Sequence, residues 1–261
     1  MKRLGNLLIR SLDHTHQWAT QKDVEVPVRE CVHFCGFRYG RQEYNPYETY
    51  LIDLHRGLHL RVVRRRFIDF LRHYRPRHMG EALGVSFSQR YGLWIYPWDN
   101  YDPREWRKYG WRNTPGECPD ILTHFCELGI PSIRIDEEFV WLEKTLYSIA
   151  NLGYQPEKHG PARVLEFRRA DHTSAYLILD GNHRASALAA LGCRETIVAR
   201  CERIVQEEKV DTWPAVQNGW MKREDALALF HAYFRGNPSW TPSETPARII
   251  APHGWEQFYF S

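Results

Sequence analysis

Residues 175–192 read Ala175-Tyr-Leu-Ile-Leu-Asp-Gly-Asn-His-Arg-Ala-Ser-Ala-Leu-Ala-Ala-Leu-Gly192. Tyr176 to Leu179 is an apolar run short enough for one buried strand. Asp180-Gly181 is a turn dipeptide. Ala185 to Leu191 is rich in strong helix formers, and Gly192 follows as a C-cap. The stretch therefore predicts strand, tight turn and helix, with Asp180, Gly181, Asn182, His183 and Arg184 gathered in the turn.

The first turn of a helix leaves backbone N–H groups without partners, and the macrodipole adds partial positive charge there. A phosphate is a natural guest at such a place. Gly181 lets a ligand approach the backbone closely. Arg184 brings a forked donor suited to phosphate oxygens, and His183 a group that donates a hydrogen bond or moves a proton near neutral pH. Asp180 is a candidate to hold a metal or to orient His183. A purely structural reading stands beside this one, with Asn182 as an N-cap and Arg184 as a surface charge.

The chain has 261 residues, 43% of them apolar and 26% charged, enough to bury a core. Its net charge of only +3 does not mark a polycation. The six cysteines are Cys31, Cys35, Cys118, Cys126, Cys193 and Cys201. The apolar run near Met1 is too short for a secretory signal, and no segment reaches the length of a membrane span. A cytoplasmic protein with free thiols is expected. The C-x₃-C and C-x₇-C spacings of Cys31, Cys35, Cys118 and Cys126 do not follow a standard zinc pattern, and alternation around Cys31 and Cys35 equally fits a strand with buried thiols.

Along the chain, residues 1 to about 30 read as a peripheral arm or small helix. Tyr44 to Tyr50, with Asn45-Pro46, reads as a loop. Leu58 to Tyr74 has apolar residues at helical spacing, and Arg61, Arg64, Arg65, Arg66, Arg72 and Arg75 accompany them on the other face. Such a basic helix suits nucleic acid, anionic lipid, an acidic partner or plain solvent. Residues 77–116 are rich in Trp, Tyr, Pro and Gly, with a strand at Trp94 to Trp98. Pro119 to Leu128 is predicted as a helix and Ile130 to Ile135 as a strand. Asp136 then caps a helix over Glu137 to Asn151. Val164 to Arg168 and Glu195 to Val205 are further strands, and Lys222 to Phe234 a final helix. This gives β-α-β-β-α-β over 129–205, flanked by an N-terminal extension (1–117) and a C-terminal helix and tail (206–261).

That order, with Ser148-Ile149 and Gly153 in the first helix and Asp180 to Arg184 before the small-residue helix Ala187 to Gly192, resembles the ParB/sulfiredoxin superfamily. The resemblance covers 129–205, about a third of the chain, within a domain of 118–205, and implies an α+β fold with a mixed sheet and helices. Sulfiredoxins carry Gly-Cys-His-Arg here; Asn182 stands in the cysteine's place, so sulfinic acid reduction is not implied. ParB partition proteins carry Gly-Glu-Arg-Arg, of which Gly181 and Arg184 match. Free serine kinases of this fold carry Asp-Gly-His-His-Arg, and only Asn182 departs from it. The resemblance to that branch implies a kinase using ATP or ADP with Mg²⁺ on the hydroxyl of a small polar acceptor. Asp180 to Arg184 would bind the nucleotide and Asp180 the metal, while His183 would act with a carboxylate base, Glu137 or Glu138. The alternative is a ParB-like nucleic-acid-binding protein or nuclease.

Overall fold

The computed structural model describes residues 23–40, 44–76, 78–88, 91, 96–99, 132–192 and 195–237. A five-stranded mixed sheet organises them, built from β1 (Asp23–Pro27), β2 (Cys31–Val32), β3 (Ala162–Arg168), β4 (Ser174–Asp180) and β5 (Thr196–Gln206). The strand order is β1-β5-β3-β4-β2. β1 runs antiparallel to β5, β3 parallel to β5, β4 antiparallel to β3, and β2 parallel to β4. The eight helices among the described residues are α1 (Pro46–His55), α2 (Leu60–His73), α3 (Met79–Leu83), α4 (Ser132–Leu152), α5 (Pro156–His159), α6 (Asn182–Leu191), α7 (Pro214–Gln217) and α8 (Arg223–Arg235). The chain is thus an α+β protein, as expected. None of these helices is long and apolar enough to cross a membrane.

Four expectations are corrected. Residues 132–135 do not supply a strand, because α4 already runs from Ser132. Ile135 is buried together with Phe139, Leu142, Leu146 and Ile149, so it opens a helical stripe rather than closing a strand. The place beside β4 is filled by β2, and β1 covers the other side of β5. Both come from before residue 33, so the sheet does not begin at 118 and the segment near residue 30 is no peripheral arm. Asn45-Pro46 starts a helix rather than a loop. The Asn45 side chain accepts from Tyr47 N–H (3.0 Å) and Glu48 N–H (3.3 Å), and Pro46 needs no donor at the first helical position. The strand expected at Trp94 to Trp98 does not form over its described part, Tyr96 to Trp98, where Pro97 and Trp98 make a turn, and the helix expected at Pro119 to Leu128 lies outside the described residues.

The helix expected at Leu58 to Tyr74 is α2, with Val63, Phe67, Phe70 and Leu71 buried. Its rings meet those of α1 and α4: Phe67 stacks on Tyr50 at 5.0 Å and lies 5.9 Å from Phe139. α1 and α4 both pack on α6. α8 packs through Phe230 and Tyr233 on Phe167 of β3. Arg38 ties the start of the chain to the end of α8, donating to Phe234 O at 2.6 Å.

Candidate functional site

The turn read first in the sequence forms as predicted. β4 ends at Asp180, Gly181 adopts the left-handed conformation (φ 104°), and α6 starts at Asn182. A Cβ at Gly181 would lie 3.0 Å from Ala162 Cβ, so both the backbone angle and the close approach of β3 call for glycine. The helix ladder opens with Ala185 N–H on Gly181 O at 3.0 Å, and no side chain caps the N-terminus. Gly192 closes α6 in the left-handed conformation.

Around this turn the fold brings together residues far apart in the chain. His183 Nε2 lies 2.7 Å from Glu138 Oε1 of α4. Both side chains are about a quarter exposed, at 31% and 21%, so the pair is sheltered yet reachable. The ring of Trp141, one helical turn after Glu138, is centred 6.0 Å from the imidazole. Tyr39 donates from its hydroxyl to Asn182 Oδ1 at 2.8 Å, and Ser186 donates to Asn182 O at 2.8 Å. Asn182 is therefore oriented by a buried tyrosine and does not cap its own helix. His33 lies buried nearby, its Nδ1 accepting from Cys35 N–H at 3.2 Å. Burial, reinforced by the charge of His183, pushes its pKa down to about 3.

The two candidate carboxylates separate. Glu138 faces His183, whereas Glu137 is about 100° away around the helix; Asp136 is exposed. Arg184 is turned back into the protein. Its guanidinium donates to Gly160 O and to Pro161 O (3.4 Å), with Asp180 Oδ2 3.7 Å away. It braces the connection between α5 and β3. The Asp180 carboxylate is 63% exposed at the mouth of the turn. Among the described residues no three His, Cys, Asp or Glu side chains gather into a metal cage. Mg²⁺ held largely by nucleotide phosphates needs only one or two carboxylates, and Asp180 fits that demand.

Cys31, Cys35 and Cys201 carry free thiols. Burial, with Glu30 adding to it, pushes the Cys31 thiol well up, and the group donates to Pro27 O. Cys118 and Cys126 lie outside the described residues. On α2, Arg64 pairs with Glu143 at 2.8 Å and covers the Phe139 ring, while Arg65 and Arg72 are exposed.

Sequence reasoning missed Tyr39, His33 and Trp141. Trp141 carried a signal, since three residues from Glu138 is one turn of the same helix face. Tyr39 carried none, lying 143 residues from its partner. Comparison with protein-family models and with curated proteins finds no match for this chain.

Proposed function

We propose that the protein is a nucleotide-dependent phosphotransferase of the ParB/sulfiredoxin fold, acting on the hydroxyl of a small polar acceptor with ATP or ADP. The observation that carries this reading is the 2.7 Å contact between Glu138 and His183 at the uncapped start of α6. Phosphoryl transfer asks for positioning and for neutralisation of charge. Unpartnered N–H groups at the start of α6 meet the phosphates, and Asn182 is oriented beside them. The Glu138–His183 pair takes the acceptor's proton as its oxygen bonds to the terminal phosphorus; the bond from that phosphorus to the bridging oxygen breaks and the shortened nucleotide leaves. Asp180, with the phosphates, would hold Mg²⁺, which would supply neutralisation of phosphate charge. The succession α4, β3, β4, α6, β5, with the sheet completed by β1 and β2, supports the fold assignment.

A thermal-shift series with ATP, ADP and CTP, each with and without Mg²⁺, tests the reading. At least one adenine nucleotide should raise the melting temperature. Glu138→Gln should keep that shift and lose phosphoryl transfer to a hydroxyl acceptor, while Glu137→Gln keeps both. No shift with any nucleotide would sink the proposal.

The exposed arginine face of α2 favours a second reading, a nucleic-acid-binding protein. Between residues 55 and 75 only Asp69 opposes seven arginines, although the whole chain carries just +3. Duplex binding that weakens steeply with salt, and is lost in Arg65→Glu/Arg72→Glu, would support it; salt-independent or absent binding would remove it.

A further inference from the structure

We infer that the protein has a second oxyanion site, at the opposite end of β4 from the Asp180–Arg184 turn, that takes a phosphorylated small molecule. A cleft of about 650 Å³ opens there, between α8 and the loop after α3. Ala228, His231 and Arg235 line one wall, Gly84 and Ser86 the other, and Arg169 reaches in from the β3–β4 turn. The seven residues of β4 separate this place from Gly181 by roughly 20 Å.

The cations there are built in. Ala228, His231 and Arg235 recur every three or four residues, so they share one face of α8, and the small Ala228 leaves the space open. The Arg169 guanidinium lies over the Phe234 ring at 4.2 Å, a contact that holds it in place. His231 is held through Nε2 by Glu207 at 2.7 Å, and the same carboxylate accepts Ala170 N–H at 3.2 Å, anchoring the turn that carries Arg169. Three half-buried guanidinia pair with carboxylates: Arg163 with Glu202, Arg168 with Glu166 and Arg203 with Asp99. Among the described residues neither half-buried Arg169 nor exposed Arg235 makes a salt bridge with a carboxylate, and Arg169 feels Glu207 and the exposed Asp171 only through space. Two permanently charged forks converging on one cleft suit the oxygens of a phosphate group. The volume exceeds what a lone ion fills and lies in the range of small-molecule sites.

The test is a titration of the ¹⁵N-labelled full chain with glycerol 3-phosphate, inorganic phosphate and glycerol, followed by amide chemical shifts. Glycerol 3-phosphate should shift Gly84, Ser86, Ala170 and Ala228, more tightly than inorganic phosphate, and glycerol should shift nothing. Arg235→Gln, at an exposed helix end and so without consequence for folding, should weaken binding at least about tenfold, and Arg169→Gln likewise. No shifts up to about 10 mM, or shifts confined to Gly181 to Ala185, would overturn the site. Undiminished binding in Arg235→Gln would overturn it too. Equal affinity for inorganic phosphate would overturn the assignment of a phosphorylated small molecule. Nucleotide binding at the α6 turn is read separately, through shifts at Gly181 to Ala185, so failure at either place leaves the other decided on its own signal.

Discussion

Glu48 and His33 are two buried titratable side chains whose effects on stability have opposite signs. Glu48 lies on α1 and accepts Gly40 N–H at 2.9 Å. Burial pushes its pKa up to about 7, against the opposing pull of that hydrogen bond. The folded chain therefore keeps a proton that the unfolded chain has released, and stability falls as pH rises from about 4.5 to about 7, by roughly 3 kcal/mol. Glu48→Gln keeps an acceptor for Gly40 and removes the charge. Urea unfolding should show the variant more stable than wild type at pH 8 and equal to it near pH 4.5; a constant difference at both would refute the assignment. His33 acts on the acid side. Its fold-depressed pKa means that the unfolded ring gains a proton, below its ordinary value near 6.5, that the folded one refuses. That contribution is whole above about pH 6.5 and is lost as pH falls toward 3. His33→Asn, which retains an acceptor near the Nδ1 position, should flatten the acid limb of the same curve.

At the scale of elements, α6 is held from three sides, by α1, by α4 and by its own Arg184. The Arg184 guanidinium bonds the carbonyls of Gly160 and Pro161, so it fixes the first turn of α6 to the entry of β3. Arg184→Ala should lower stability without any ligand, by about 1–3 kcal/mol, because two carbonyls lose a charged donor. A melt of the nucleotide-free protein decides this: an unchanged midpoint would mean that the guanidinium serves a ligand and not the fold. The sequence showed Arg184 at a helix start but not its direction, since Gly160 lies 24 residues earlier and nothing local aims the side chain there. The turn itself was legible because its signals are local: an apolar run, Asp-Gly, an alanine-rich helix and a closing glycine. The choice between Glu137 and Glu138 was not, because it depends on the phase of α4. Reading Ile130 to Ile135 as a strand hid where that helix begins. Asn45-Pro46 failed differently, since the same pair opens turns and caps helices, and only the buried face behind it decides.

The whole molecule closes its sheet with strands taken from its beginning. β1 reaches β5 across some 170 residues and β2 reaches β4 across about 145, pairings for which no sequence pattern provides the register. A fragment of residues 118–261 contains every strand and helix that the motif predicts, yet lacks β1, β2 and α1. Both outer strands of its sheet would then expose unpaired edges. It also loses the burial of Val26, Val28, Cys31, Val32, Phe37 and Tyr39, all at most 4% exposed in the full chain. Each such side chain contributes on the order of 1.5–3 kcal/mol, so together they rival the roughly 5–15 kcal/mol that holds a typical domain folded. Arg38 goes with them, and with it the donor to the last carbonyls of α8. The fragment should therefore aggregate or lack a cooperative thermal transition, whereas a fragment of residues 23–237 should melt in one sharp step. Circular dichroism melts and size-exclusion chromatography of the two distinguish the cases. A sharp, reversible transition in 118–261 would show that the sheet stands without its N-terminal strands.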